Sequence, residues 1–573
     1  MKTFVAMDKQ REIEQEKQRR ERLEAEEEDP SYRTVLLTTF VIRKKRCRVY
    51  FHRGALIWET ERSPYRRWTL SLTDVLTASF SNDRNSGGTI NETFRYRERD
   101  SIGSNSSPST NGSTNGALGF VLHYAARGSK NKLSHHSVTM KHDDPRQVAS
   151  WVKTLRNYIT NLRHRPRKIL LFVNPFGGKK KGLEIWEKRV QPLMNLAGVE
   201  AKVIVTERAG HIHDYLMSCE LGSYHAVVCI GGDGTFSELF NGLISRTARD
   251  RCIDLNEPDV DLPRPDIPVG MIPSGSTDTL AYSLHGTTDV ETAVLHILFG
   301  DTTGLDVSSV HSDRELLKIY ASIFSYGYLG DVIRDSEKFR WMGPQRYDYS
   351  GFKKIIANKG YEGEVELLPE TVHPAACTRC TKNCSRCDFR MHNADRTDDI
   401  PNTLTVKGKF FMVNGANISC ACSKSPMGFS PHCHIGDGCV DVIIVRHTSL
   451  FNNIRMLLRL TSKEKTLYDL PFVEVYRARE FTFRATSSEP SETTSSSFES
   501  CVEAVEASNG ERSEGSLGPG SRLGSSAISV WNCDGEVVDA SSVRIRVHRQ
   551  LLKVFTRRMQ APAPKGTSCF CLL

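Results

Sequence analysis

"AVVCIGGDGTFSELFNGL", residues 226–243, decides the fold of this 573-residue chain. Its first five residues, Ala226 to Ile230, are an unbroken apolar run, as in a strand buried on both faces. Gly231-Gly232-Asp233-Gly234 then turns the chain, and from Thr235 apolar positions recur at helical spacing. A glycine-rich turn between strand and helix presents backbone N–H groups to an anion, and the helix end adds positive potential. A carboxylate inside that turn repels phosphate unless it has another task. What that task is stays open at this point; the bland reading of Asp233 is a helix cap, a position Asp favours.

The same texture repeats outward. "RKILLFVNPFGGKKKG" (167–182), "EAKVIVTERAGHIHDYLMSC" (200–219) and "DIPVGMIPSGSTDTLAYSL" (266–284) each read as strand, turn and helix. Continuous apolar strands alternating with helices predict a parallel sheet over residues 165–300, a nucleotide-binding α/β domain with its ligand off the carboxyl ends of the strands. Four turns on that one side make the reading specific.

The flanks differ. Residues 1–33 are almost wholly charged and bury nothing. Residues 34–164 alternate as antiparallel strands, broken by a Ser/Asn/Gly-rich loop at 81–116 that reads as disordered. That block closes with a helix whose Val148, Trp151, Val152, Leu155 and Tyr158 share one face, a pattern that resembles a PH-like β-barrel. "RKKRCR" (43–48) and "YRRW" (65–68) would hold an anionic phospholipid or phosphoinositide there, or else are a strand edge kept soluble by charge. Residues 301–560 are rich in strands and predict an antiparallel β-sandwich that binds lipid, with a Cys-rich insertion at 371–401 and a disordered one at 485–528. A tail, 561–573, follows; its "CFCLL" ending does not match a prenylation box, and palmitoylation of Cys569 or Cys571 stays open.

Composition narrows the class. The chain is 39% hydrophobic and 25% charged with a net charge of +9, which gives no sign of a nucleic-acid partner. No apolar run approaches the ~18 residues of a membrane span, and the start lacks the apolar core of a signal peptide. Sixteen cysteines then read as reduced thiols. These features predict an intracellular, soluble protein.

"NPFGG", "TERAGH", "GGDGT" with Glu238, "PSGSTD" and "WNCDGE", in this order, resemble the diacylglycerol-kinase catalytic superfamily and its sphingolipid-kinase branch. The resemblance spans residues 166–556 and implies an ATP- and Mg²⁺-dependent lipid kinase. It also implies a cytoplasmic place peripherally associated with membranes, at the Golgi or the plasma membrane. On it, Asp233 is the general base, and Gly231, Gly232 and Gly234 let the lipid headgroup and phosphate approach. Asn174, Pro175, Phe176, Gly177 and Gly178 line the nucleotide, with Thr206, Glu207, Arg208, Ala209 and Gly210 opposite. Gly275, Ser276 and Thr277 touch phosphate, and Glu238 contacts the nucleotide or orders the site. Lys179 to Lys181 are phosphate contacts or solvated lysines. Arg340 and Arg346, in "DSEKFRWMGPQRY", reach the nucleotide or sit in surface ion pairs. Asp534, Gly535 and Glu536 also meet the nucleotide, with Asp534 and Glu536 holding Mg²⁺; the bland reading of "CDGE" is a hairpin turn.

One departure bears on the acceptor. Sphingosine kinases place an aspartate where Ile333 stands, in "GDVIRDSEK". An isoleucine there removes a partner for an ammonium and suits a neutral amide, so the expected acceptor is the primary hydroxyl of ceramide, with sphingosine or diacylglycerol as alternatives. Asp331 would hydrogen-bond the headgroup or cap a helix. From another class, the chain would be a catalytically silent lipid-binding scaffold. Cys377, Cys380, Cys384 and Cys387 would wrap a structural Zn²⁺ or form an oxidation-sensitive cluster. Calcium dependence stays open, as does calmodulin binding at the basic amphipathic stretch "NNIRMLLRLTSKEK" (452–465).

Overall fold

A computed structural model describes residues 35–81, 118–370 apart from 179, 314 and 344, Cys387, 403–486 apart from 423, and 528–556. The charged segment 1–33, the loop 81–116 beyond its first residue, Cys377, Cys380, Cys384, all but the ends of the insertion 485–528, and the tail 561–573 lie outside the described residues. The chain divides into two compact units: one of 1–243, 265–303 and 553–573, the other of 244–264 and 304–552.

The first unit opens with seven antiparallel strands: β1 (Leu36–Ile42), β2 (Lys45–His52), β3 (Ala55–Thr60), β4 (Arg67–Ser71), β5 (Val75–Phe80), β6 (Gly119–Arg127) and β7 (Leu133–Lys141), ordered β4-β3-β2-β1-β7-β6-β5. Alternation sets their faces: in β2, Cys47, Val49 and Phe51 turn inward while Arg46, Arg48 and His52 are exposed. Helix α1 (Pro145–Thr160) follows, capped by Asp144 accepting from the Arg146 N–H at 2.8 Å, with Pro145 where its missing N–H costs nothing. Its buried residues are Val148, Trp151, Val152, Leu155 and Tyr158. Trp151 meets Phe40 edge-on at 5.4 Å, and its Nε1–H donates to Thr38 Oγ1 at 2.9 Å, so the buried indole keeps its hydrogen bond.

The α/β part has four strands, β8 (Lys168–Val173), β9 (Glu200–Val205), β10 (Ala226–Gly231) and β11 (Val269–Pro273), all parallel in the order β9-β8-β10-β11. Near the end of the described chain, Val554 pairs in parallel with Val269. β10 and β11 are buried along their whole length, whereas edge strand β9 is buried nowhere. Helix α2 runs Gly182–Ile185, through a π-helical stretch Trp186–Val190, to Gln191–Ala197; then come α3 (His211–Ser218), α4 (Asp233–Asp250), α5 (Thr279–His285) and α6 (Val290–Phe299). Parallel pairing needs such crossovers, and the strand order reverses between β8 and β10, where sheets of this kind open a crevice.

The antiparallel block packs on α6. Leu133 N–H donates to Thr292 Oγ1 at 2.9 Å and His135 N–H to Glu291 Oε1 at 2.6 Å. Leu76 and Ala125 join the core that holds Ile297 and Phe299.

A buried histidine pair links α5 to α6. His285 and His296 stack with their Nδ1 atoms 3.0 Å apart, and His285 Nε2–H donates to the Met271 carbonyl at 3.1 Å. Burial pushes His285 down to about 4 from an ordinary 6.5, against the pull of that carbonyl. Between those values the unfolded chain binds the proton and the native site refuses it, so stability falls as pH drops from 6.5 towards 4. For His285 alone the loss is about 3 kcal/mol. His123, stacked on His135 and also held at about 4 by burial, adds to the same slope. Urea midpoints taken across that interval should decline steadily towards acid; a flat profile would show that the pair does not titrate this way.

The second unit is antiparallel. Strands β12 (Thr302–Ser312), β13 (Glu315–Tyr320), β14 (Ile323–Gly327), β15 (Tyr361–Pro369), β16 (Leu404–Ala416), β17 (Val440–Arg446), β18 (Val473–Ala485), β19 (Trp531–Cys533), β20 (Glu536–Val538) and β21 (Ser542–Phe555) form one hydrogen-bonded network. Long strands β16 and β18 are bridged by β15 along one stretch and by β17 along another. Phe324 stacks on Trp531 at 4.5 Å, and Tyr326 and Phe483 close on the same indole. Among the described residues three α-helices interrupt the strands: α7 (Tyr328–Ser336), α8 (Gln345–Ala357) and α9 (Leu450–Leu460). The first two were hidden in the sequence because α7 buries Asp331, Asp335 and Ser336 beside Val332, and α8 buries Ser350 with Ile355, so neither shows an apolar period. Among the described residues no helix is long and apolar enough to cross a membrane.

Candidate active site

Two turns of the first unit meet backbone to backbone. β10 and β11 are neighbours with Gly231 opposite Pro273, which sets the 231–234 turn beside the 273–278 turn. Ser274 N–H donates to the Gly231 carbonyl at 3.0 Å. A Cβ on Gly275 would lie 2.7 Å from Gly232 Cα, and one on Gly178 would lie 2.5 Å from the Ser274 carbonyl oxygen. Gly178 also holds φ +55°, open to glycine at no steric cost. Three glycine turns therefore converge because nothing protrudes between them.

Asn174 shapes the first of these turns. Its Oδ1 accepts from the Phe176 and Gly177 N–H groups at 2.9 and 3.0 Å, and its Nδ2–H donates to Thr235 Oγ1 at 2.8 Å. An Asx turn of this kind folds the loop and ties it to α4. Phe176 stays exposed. Opposite, Thr206 is buried with its N–H on the Val173 carbonyl, and Glu207 N–H donates to His211 Nδ1. Arg208 pairs with Asp214 at 2.5 Å, Ala209 lends its carbonyl to Arg208, and Gly210 holds φ +79°.

Asp233 is the first residue of α4, yet its carboxylate serves a different helix. Oδ2 accepts from the Thr279 N–H at 3.0 Å and from Thr279 Oγ1–H at 2.9 Å, and Oδ1 accepts from the Leu280 N–H at 3.0 Å. It thus fixes the start of α5. Burial raises the affinity of Asp233 for a proton, opposed by those three hydrogen bonds. Glu238, one turn on, accepts from the Ile212 N–H at 2.8 Å and so anchors α3.

Asp278 escaped the sequence reading. It is buried at φ +54°, accepts from the Gly275 N–H at 3.0 Å, and is pushed up to about 7 by burial and then by the Asp233 charge. Nearby, Ser274 Oγ is buried with no hydrogen-bond partner among the described residues. The position of Asp278 inside "PSGSTD" was the only available signal. An orphaned hydroxyl, exposed Ser276 and Thr277, and a cradle that any Cβ would fill fit an anionic ligand such as a nucleotide triphosphate.

The remaining candidates belong to the second unit. Asp331, buried in α7, accepts from Tyr361 O–H, from Ser529 Oγ–H at 2.8 Å and from Arg334 at 3.0 Å. Arg346 pairs with Glu337 at 3.3 Å and donates to Tyr347 Oη at 2.6 Å. Arg340 lies in the short helical stretch Glu337–Met342. Asp534 and Gly535, both at positive φ, are the central residues of the β19–β20 hairpin. Asp534 accepts from Ser322 Oγ–H, and Glu536 pairs with Lys318.

Metal ligands are sparse. Among the described residues no group of three or more His, Cys, Asp or Glu side chains is arranged to hold a metal. Of the cysteine cluster only Cys387 is described, buried with its Sγ 3.7 Å from His434 Nδ1. On the antiparallel block, Arg48, Arg66 and Arg67 line a cavity of about 260 Å³ with Tyr65, Glu59 and Glu61. Arg43 and Lys44 instead form the β1–β2 turn at positive φ.

Residues 168–310 match the diacylglycerol kinase catalytic domain family, and residues 320–572 match the ceramide kinase C-terminal domain family. The α/β sheet and its meeting glycine turns thus define a catalytic domain of the diacylglycerol kinase class. The chain is 36% identical over 477 residues to human ceramide kinase, covering 78% of this chain and 84% of that one. With the mouse ceramide kinase it shares 36% over 488 residues (82% and 90%), and with ceramide kinase 1 of Caenorhabditis elegans 29% over 420 residues (71% and 69%). The chain belongs to the ceramide kinase family.

Proposed function

We propose that this chain transfers the γ-phosphoryl group of ATP to the primary hydroxyl of ceramide, giving ceramide 1-phosphate and ADP. The observation that carries the reading is the backbone contact of the 231–234 and 273–278 turns around an Asp233 held by three donors. Membership in the ceramide kinase family supports the acceptor.

The hydroxyl oxygen bonds to γ-phosphorus as the bond to the bridging oxygen breaks. Asp233, whose proton affinity burial raises, takes the hydroxyl proton late in a loose transition state. Gly275, Ser276, Thr277 and the Ser274 hydroxyl take the phosphates, and Asn174 to Gly178 with Thr206 to Gly210 flank the nucleotide. Bound Mg²⁺ supplies charge neutralisation on the phosphates. Asp534 and Glu536 are its proposed ligands, with Gly535 beside the nucleotide, and Arg340 and Arg346 offset charge. For Arg346, Asp534 and Glu536 this means giving up their present partners Glu337, Ser322 and Lys318. Asp331 reaches a headgroup only by releasing one of its three.

The antiparallel block reads as PH-like, with its arginine-lined cavity offered to anionic headgroups, and the second unit as the part that takes the acyl chains. Activity with labelled ATP on ceramide, sphingosine and diacylglycerol in mixed micelles tests the acceptor. Ceramide should be preferred, and equal or better use of either other lipid would overturn the choice. Ile333→Asp supplies a carboxylate for an ammonium and should raise the sphingosine-to-ceramide ratio by roughly tenfold.

A further inference from the structure

We propose that the outer faces of α8 and α9 dock the second unit on an anionic bilayer, as a site separate from the arginine-lined cavity of the antiparallel block. α8 exposes Tyr349, Phe352 and Ile356, and α9 exposes Phe451, Ile454 and Leu458, each set at i, i+3, i+7 spacing. Phe451 is 76% exposed, Phe352 68% and Leu458 67%; Trp341, just before α8, is 82% exposed. These stripes are not the packing faces. α8 buries Ser350 and Ile355, and α9 buries Asn453 and Met456. The two helices are also pinned together, since Asn453 Nδ2–H donates to Asn358 Oδ1 at 2.6 Å and Asn358 Nδ2–H to the Thr448 carbonyl at 3.0 Å. A soluble surface seldom shows this many large apolar side chains together without a partner.

Charge names the occupant. Arg455, Lys463 and Lys465 stand in and after α9 against Glu464, while Arg459 is met by Asp469 at 3.4 Å. Lys353, Lys354 and Lys359 accompany α8, where Asp348 is met by Lys424 at 3.3 Å and Asp335 by Lys353 at 3.1 Å. An apolar stripe flanked by basic residues suits the boundary between acyl chains and anionic headgroups. The inference rests on the reading of the acceptor as a bilayer lipid. Calmodulin, the other partner this stretch suggests, takes a helix into an apolar groove. To close on both sides of α9 it would have to strip away the Asn453–Asn358 bond and expose Met456, whereas a membrane meets the helices as folded.

The test is cosedimentation of the full chain with phosphatidylcholine vesicles, with and without phosphatidylserine, in the absence of ceramide and ATP. Phe352→Ser, Phe451→Ser and Leu458→Ser together should lower vesicle binding by roughly a hundredfold. Arg455→Glu with Lys463→Glu should weaken binding to the phosphatidylserine vesicles alone, by about tenfold. Thermal midpoints of both variants should match the parent, because every changed side chain is exposed. Full vesicle binding by the triple variant overturns the proposal. So does calmodulin binding that the triple variant loses while vesicle binding persists. Failure of the kinase reading would appear in the three-lipid assay of the unaltered chain, so the two failures are distinguishable.

Discussion

Asp233→Asn is expected to lower phosphoryl transfer to ceramide by at least ~100-fold, the scale of a lost general base. The substitution also disturbs α5. An asparagine oxygen turned to the Thr279 N–H and hydroxyl leaves its NH₂ facing the Leu280 N–H, where two donors meet. That unsatisfied pair costs about 1–3 kcal/mol, and the lost negative charge at the helix start adds several tenths. Urea unfolding measures this structural part separately from rate. Thr279→Val supplies the contrast: it removes one donor but keeps the carboxylate, and should cost about 1 kcal/mol and less than ~10-fold in rate. Full transfer by folded Asp233→Asn would refute the base assignment and leave Asp233 as an α5 anchor.

Gly275→Ala should cost as much by a different route. The added Cβ falls 2.7 Å from Gly232 Cα and 2.5 Å from Asp278 Oδ1, and the first of these is backbone. The pairing of Gly231 with Pro273 leaves neither turn free to retreat. Overpacking of this kind costs about 1–3 kcal/mol, and displacing the proposed phosphate contacts by a fraction of an ångström should weaken ATP binding by roughly 100-fold. Gly222→Ala is the control: nothing lies within 4 Å of its Cβ, and stability should move by less than ~0.5 kcal/mol. ATP affinity by calorimetry and thermal midpoints decide the matter. Unchanged affinity in Gly275→Ala would remove the 273–278 turn from the nucleotide site.

The parallel sheet was legible because each of its strands declares itself in a short window. Ile169 to Val173 and Ala226 to Ile230 are apolar without a break, and every one of these residues is buried. The face of α1 was legible for the same reason, as five apolar residues recur at helical spacing. Helices α7 and α8 were not, since α7 buries Asp331, Asp335 and Ser336 beside Val332, a mixture that no hydropathy period marks. The partners of Asp233 were invisible too. Thr279 lies 46 residues away, and only the adjacency of β10 and β11 brings it near. Asp278 sat inside a recognised motif, but its burial and its pull towards a proton come from Asp233 and the surrounding fold, not from its neighbours in sequence.

The sequence by itself determined which segments become strands and helices in the α/β region, which turns carry glycine, and which family of chemistry those turns serve. Periodicity and turn chemistry act within a dozen residues, so they survive without a fold. The tertiary structure alone decided that Asp233 fixes α5, that Asp278 and a Ser274 hydroxyl with no partner among the described residues share its surroundings, and that α8 and α9 turn apolar stripes outward. Each depends on which segments become neighbours, and strand order and helix packing settle that only when the whole chain competes for the same interior.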